Sequence, residues 1–572
     1  MANQWKRQPY AKIRQGGSDA PYSEIRVINP SRGLNLLIAD ILANDKEATL
    51  GTKNIEYVEG GAARKRMGYT ESGTGLSNAP KGLSQYLSES ANYPITSDAG
   101  TLKKYESETW SALSGAVTLD ATANITMTAL FQKTYAWDGV NGGIVWDGSS
   151  VTRPGTMPKA KFSVPYKGYH VASGVAGQPF RLYFAPSGET SRFTRLNPAA
   201  DPTDVSLNDA ANVPGATVFS GDDTPRAIDI NKNDGQKVVG LGFFQDLLIV
   251  FKERSIYQLY FNADNGFVVE RISSSYGAVS HGSIASVEND CYFLTEKGVY
   301  VLGNEPNFYA SIRTNELSSR VKTLLQRINP THYERCRAYY HDDRYFLSVP
   351  LDQSTTCNTM IVYDRRFYAW AVWDNINAND MIVFKDKDND GESHFYFTEY
   401  GSASMSEFTP GVYNDKGEAI HAVFITRAFE GKKVDREKFW YTLRPIFRLT
   451  TGAVQISYIT ENGTVGRPVA VAPVLTGGLS LDQVGALLFG TSQQDTFTDV
   501  DLGISGAADD GSTSSETDAT HTVYDIGVGI DSRTLKIKFE NDGINETFTL
   551  LGWVLLYQER DHSRSDGTYT IR

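Results

Sequence analysis

The sequence predicts an all-β protein, and three observations carry that prediction. The 572 residues hold 51 Gly beside 31 Tyr, 27 Phe and 8 Trp, a pairing of turn-formers and rings that suits many short strands. Between residues 80 and 410, strand-length aromatic and β-branched runs alternate with short turns. Paired runs recur about every 40–50 residues, the period of propeller blades made of four short strands. The prediction is therefore a β-propeller of about six blades, followed by a β-sandwich-like domain, with few short helices.

Each part follows from its own residues. Residues 1–20 read as an extended arm, with Lys6, Arg7, Lys12 and Arg14 and no acid in the first 17 positions. Residues 21–79 are expected to supply strands that close the propeller or lead into it, because a propeller needs its ends tied together. The propeller spans 80–412. Its runs include 134–139 and 144–148, 246–251 and 255–261, 291–294 and 298–302, and 344–349 and 360–363. Residues 252–254 and 295–298 supply hairpin turns. One stretch breaks the pattern. In 314–329, Leu317, Val321, Leu324, Leu325 and Ile328 fall on one helical face, with Thr314 or Asn315 as N-cap and Pro330 beyond the end. Ser480 and Gln483 form a capping-box pattern over a short helix at 480–489. In 413–572, strands are expected at 419–429, 439–449, 454–459, 534–539 and 546–557. The acidic Gly/Ser-rich loop 499–520, which carries Asp499, Asp501, Asp509, Asp510, Glu516 and Asp518, interrupts them.

Composition narrows the function classes. No run reaches 18 apolar residues, so no membrane insertion is expected, and the charged start lacks the apolar core of a secretory signal. Cys291, Cys336 and Cys357 show no paired spacing, which predicts folding in a reducing cytoplasm without a disulfide framework. A net charge of −12 opposes broad gripping of phosphates. The runs Arg64-Lys65-Arg66 and Arg365-Arg366 read as short exposed basic patches, not a nucleic-acid face.

Catalytic constellations are sparse. There is no nucleophile elbow, phosphate loop, zinc motif or Cys/His cluster, and no Asp box of the kind found in sialidase propellers. His341-Asp342-Asp343 reads as a hairpin turn. The expectation is a non-enzyme with no catalytic residues and no organic cofactor. One metal-like motif remains. Asp386, Asp388 and Asp390 before Gly391 match the opening half of a calcium loop, but its twelfth position is Phe397 where a bidentate Glu is needed. Two readings stay open: a structural Ca²⁺ site, or a simple turn bearing solvated acids.

The order of several short motifs resembles the phage tail-tubular and packaged-DNA-stabilisation propeller proteins. The motifs are Ser31-Arg32-Gly33-Leu34-Asn35, Asp45-Lys46-Glu47-Ala48, Asn54, Gly60-Gly61 and Arg66-Met67-Gly68. Runs 248–257, 277–282, 290–300 and 338–350, then Asn358, Tyr363-Asp364 and Trp370, continue the likeness, as do 535–539 and 548–552. The resemblance implies a structural virion protein of a short-tailed phage, assembled in the host cytoplasm and located in the tail nozzle or hub. It implies self-association into a ring, usually a hexamer, below the portal-side adaptor protein, with tail fibres or a spike as further partners. Such a ring continues the DNA channel, retains packaged DNA and conducts it at infection by transient, sequence-independent passage. An acidic wall suits that, since it repels phosphate and lets DNA slide. The alternatives are a tail adhesin binding host polysaccharide through its rings and, behind it, a propeller glycosidase, which needs a carboxylate pair or a Tyr nucleophile.

Overall fold

The computed structural model describes residues 22–88, 92–185, 190, 191, 193, 226–262, 266–305, 308–385, 393–471 and 522–560. Antiparallel four-stranded units dominate. Six of them are consecutive meanders: Lys81–Leu87 to Thr109–Ala112, Thr126–Leu130 to Val151–Thr152, Phe162–Tyr166 to Arg226–Asp229, Val238–Phe244 to Gly266–Ser273, Ile284–Val287 to Phe308–Glu316, and Arg337–His341 to Ala369–Asp374. A further, six-stranded sheet takes Ala378–Lys385, Ser393–Glu399 and Met405–Phe408, pairs with Tyr69–Ser72 from far upstream, and runs on through Asn414–Asp415 (parallel) to Glu418–Ala419. The first strands of successive sheets neighbour one another in cyclic order, and Ala378–Lys385 lies beside Lys81–Leu87. The fold is a β-propeller, as expected, and seven sheets take part in this ring among the described residues.

Local chemistry explains the blades. Arg344–Val349 and Thr359–Asp364 are buried at every position. Both faces of an inner blade strand are covered by neighbouring blades, so such strands read as near-continuous apolar runs. Asp342 and Asp343 have φ of +48° and +56°, the left-handed pair that a tight two-residue hairpin demands. At the 295–298 turn, the Lys297 amide donates to Thr295 Oγ1 (3.0 Å), which donates to the Gly298 carbonyl (2.9 Å).

The predicted helix over 314–329 is shorter than its periodicity suggests. Thr314, Asn315 and Glu316 pair as strand with Leu302, Val301 and Tyr300, so ladder bonds claim the expected cap. Helical backbone is confined to Ser319–Val321 and Lys322–Leu325, and Val321, Leu324, Leu325 and Ile328 are buried as the pattern requires. The helix at 480–489, the arm 1–20 and the loop 499–520 lie outside the described residues.

The sandwich has two sheets. One is Ala422–Ile425, Leu535–Asn541, Val454–Thr460 and Gly463–Val471 in that spatial order. The other is built on Lys438–Thr451 and the 13-residue Thr547–Glu559, with Ile526–Ser532 alongside. Ile526–Ser532 and Leu535–Asn541 alternate between buried and more exposed positions, as strands with one inward face must. The N-terminal strands Ser23–Ile28 and Ala62–Lys65 pair directly with Thr547–Glu559, and Ile55–Val58 pairs with Ala62–Lys65. The sandwich thus draws on both ends of the chain. One continuous apolar cluster joins Phe346, Trp373, Phe397 and Phe408 of the propeller to Phe424, Trp440, Phe539 and Trp553 of the sandwich. Each such side chain contributes about 1.5–3 kcal/mol by leaving water, so the shared core is a strong bond between the two parts.

Candidate functional site

The most elaborately built polar site is the junction where residues 31–68 run between propeller and sandwich. It begins at Gly33, where φ is +77° and a Cβ would lie 2.5 Å from the Trp370 amide nitrogen. Only glycine fits that close approach. The Leu34 amide then donates to the Trp370 carbonyl (2.8 Å), and Leu36 donates to the Arg320 carbonyl (2.7 Å). Asn35 Nδ2 donates to Glu47 Oε2 (2.9 Å), which also accepts the Asn44 amide at 2.9 Å. On the sandwich side, Thr49 donates to the Ile425 carbonyl, and Lys53 and Val423 exchange backbone bonds of 2.9 Å.

Asn54 and Arg66 form the centre. Asn54 takes φ of +56°, a left-handed conformation that asparagine tolerates better than most residues. Its amide donates to the Val372 carbonyl (2.7 Å), and its Oδ1 accepts from Asp374 N and Arg66 Nε, each at 3.0 Å. Its Nδ2 donates to the His421 carbonyl (2.9 Å) and to Asp374 Oδ1. Arg66 is fully buried. It grips Asp415 with both ends of its guanidinium, Nη1 to Oδ1 at 2.9 Å and Nη2 to Oδ2 at 2.6 Å, the strong fork geometry. Burial raises the Asp415 carboxyl above its ordinary range, and Arg66 opposes that rise. The Arg66 guanidinium also lies 5.9 Å from the Trp373 ring centre.

A second buried cluster flanks the first. Glu56, 2% exposed, accepts from Arg64 Nε (2.8 Å) and from Arg344 Nη1 (3.1 Å) of the propeller. Asp364 in turn pairs with Arg344 Nε (3.5 Å) and Arg366 Nη2 (2.8 Å). Lys65 is fully buried and donates to Asn541 Oδ1 (2.8 Å) and the Gly543 carbonyl (2.9 Å), and burial lowers its ammonium to about 8. The basic runs at 64–66 and 365–366 are therefore not exposed patches of free charge. Arg64, Arg66 and Arg366 are ion-paired here, and Arg365 pairs with Glu288 at 2.5 Å.

Residues singled out in the sequence distribute unevenly over this site. Gly33, Asn35, Glu47, Asn54 and Arg66 converge on it. Asp374, Asp415, Glu56 and Arg344 complete it and carry no local signal, since Arg66 and Asp415 are 349 positions apart. Asp386, Asp388 and Asp390 lie outside the described residues, between the paired strand ends Lys385 and Ser393. Among the described residues, no group of three or more His, Cys, Asp or Glu side chains is arranged to hold a metal ion. The chemistry of the junction is cohesive: charges and amides satisfy one another across two domains.

An open groove of about 520 Å³ lies beside it, lined by Asn35, Leu37, Leu42, Glu47, Arg320 and Arg427 among others. On the same segment Leu37, Leu42 and Leu50 are 59%, 72% and 69% exposed.

No protein-family model matches the chain, and no curated protein matches its sequence. Many solved structures do resemble it in shape. The WD40 domain of Neurospora crassa Pan2 matches at 7% identity over 58% of this chain and 89% of that one, with a TM-score of 0.31. A gluconolactonase from Xanthomonas campestris matches at 10% identity over 63% and 95%, with a TM-score of 0.29. Apo AztD from Citrobacter koseri matches at 12% identity over 57% and 92%, with a TM-score of 0.30. At these scores none carries an argument about what this chain does, and the architecture stands on its own strand pairing.

Proposed function

We propose that this chain is a structural, non-enzymatic wall protein of a short-tailed phage, forming a nozzle or hub ring through which DNA passes. The observation that carries the reading is the convergence of the tail-protein-like motifs on one clamp. Gly33-Leu34-Asn35, Glu47-Ala48, Asn54 and Arg66 all lie in the segment that binds propeller to sandwich. A conduit under DNA pressure needs domains that do not swing, and a shared core crossed by buried ion pairs and hydrogen bonds favours that stiffness. The ring would be a hexamer seated under a portal-side adaptor and carrying fibres or a spike. Its net charge of −12 suits a wall that DNA slides past.

The exposed Leu37, Leu42 and Leu50 support self-association, because aliphatic side chains grouped on one exposed segment mark contact surfaces. Rings arise when such head-to-tail contacts close. The seven described Trp side chains, from Trp110 to Trp553, are buried and so withdrawn from sugar stacking, which leaves Tyr22, Phe131, Tyr368 and Tyr441 as the exposed rings on which an adhesin would depend. Electron microscopy of the purified full chain tests the proposal, with Leu42→Glu as the control. Wild type is expected to form closed rings. Leu42→Glu should shift particles to monomers while changing stability by no more than about 0.5 kcal/mol, as is usual at an exposed site. A strictly monomeric wild type that binds host polysaccharide would replace the proposal with the adhesin reading.

A further inference from the structure

The propeller holds a second polar cluster, away from the junction, where its first and last blades meet. At the face where the first strands begin, Arg337, Arg335, Tyr400, Lys81 and Asp380 come together. Arg337 is 6% exposed. Its side chain lies across Gly282, where a Cβ would sit 2.5 Å from Arg337 Cδ and 2.8 Å from Nη1, so glycine leaves room for the guanidinium. Its Nη1 donates to the Glu334 (2.8 Å) and Cys336 (3.2 Å) carbonyls. No described carboxylate lies within ion-pair distance of it. A buried guanidinium without a counter-ion is costly.

Two neighbours carry unmet polar atoms, and Lys81, which donates to the Ala121 carbonyl (2.8 Å), adds positive charge. Arg335 Nη1 donates to the Thr355 carbonyl (2.5 Å), but its Nε is buried and has no partner. The Arg335 guanidinium carbon lies 5.7 Å from the Tyr400 ring centre, and the Tyr400 hydroxyl is likewise buried without a partner. Arg337, Arg335 and Asp380 all act electrostatically on that hydroxyl, and Arg335 acts on the Lys81 ammonium. Asp380 and Arg337 act on each other electrostatically, but one carboxyl beyond ion-pair distance offsets only part of the charge of two guanidiniums and an ammonium. Asp380 Oδ2 accepts the Leu83 amide and its Oδ1 the Met381 amide, both at 3.0 Å, which ties it to the blade closure. Buried polar atoms in folded proteins are nearly always satisfied, so orphaned donors beside unpaired cations call for an explanation.

We propose that this cluster is a binding site for a small oxyanion, a phosphate or carboxylate group that accepts from Arg335, Arg337 and the Tyr400 hydroxyl. Such a group supplies the missing counter-charge and takes up the orphaned donors together. The site is independent of the proposed tail role.

Calorimetric titration of the full chain with millimolar inorganic phosphate, against chloride at equal ionic strength, tests it. Wild type is expected to bind with saturation. Tyr400→Phe is the decisive variant: its hydroxyl has no partner to lose, so the protein should fold as wild type yet bind phosphate at least about tenfold more weakly, the loss of one charge-assisted bond. Arg335→Gln should weaken binding further. Parallel titrations with glycerol phosphate and acetate separate a phosphoryl from a carboxylate source. Absence of saturable binding of all three anions, or equal binding by wild type and both variants, would overturn the assignment.

Discussion

Arg66 shows how much of this fold rests on single charges. It is fully buried and reaches Asp415, Asn54 and the Asp374 carbonyl at once. Removing one partner of such a pair leaves the other charge buried and unmet, at a cost of about 3–5 kcal/mol. Arg66→Ala is expected to lower stability by that much in urea unfolding. A loss below 1 kcal/mol would show that the clamp contributes little. A second residue-scale effect concerns acid. His170 is buried against Tyr135, Trp137 and Phe193, donates through Nδ1 to the Thr190 carbonyl (2.8 Å) and accepts from Ser163 Oγ at Nε2 (2.8 Å). Burial lowers it from 6.5 to about 4, against a weaker opposing effect of the Thr190 bond. The unfolded chain therefore binds the proton first as pH falls. The stability His170 contributes is present above about 6.5 and lost progressively towards 4, on the order of 3 kcal/mol in total. Burial lowers His281 to about 4 as well, so the acid slope should flatten only in part in His170→Gln, as measured by thermal unfolding between pH 7 and 4. At this scale the sequence was legible where motif order marked residues, as at Asn54 and Arg66. It misled at Arg64-Lys65-Arg66. Three adjacent cations look solvated until the neighbouring strand brings Glu56 to Arg64 and distant strands bring Asn541 to Lys65 and Asp415 to Arg66.

At the scale of elements, the closure of the propeller is the informative feature. Tyr69–Ser72 pairs with Met405–Phe408, and Thr70 Oγ1 and Thr409 Oγ1 share a 2.8 Å hydrogen bond. A proline there removes a backbone donor and the hydroxyl contact together. Thr70→Pro is expected to open the last blade, seen as faster proteolysis within 378–408, while an unchanged cleavage pattern would mean the closure is dispensable. The same strand lies upstream of residues 80–412, where the sequence places the propeller, and Val151–Thr152 is too short to stand out as a strand-length run. The hairpins themselves were readable because turn residues and ring-rich runs alternate, and 291–294 and 298–302 pair as that pattern requires. The helix at 314–329 was overread for a physical reason. An apolar period of 3.6 does not reveal that Asn315 already has a strand partner in Val301.

The whole molecule joins three properties: a propeller closed by the upstream strand Tyr69–Ser72, a sandwich that pairs Ser23–Ile28 and Ala62–Lys65 with Thr547–Glu559, and one apolar core through both. That combination suits the stiff wall segment proposed above, and the exposed leucines at 37, 42 and 50 are the edge proposed to meet a neighbour. None of this was visible from composition, because acid excess and ring content are summed over surfaces and cores alike. The proposed role of this chain is a ring in a phage tail. The most direct measurement is cryo-electron microscopy of tailed particles carrying the chain with a density label. The account predicts label density at six-fold-related positions around the DNA channel, below the portal. Particles whose tails lack the label, or carry it as single copies at the fibre tips, would contradict it.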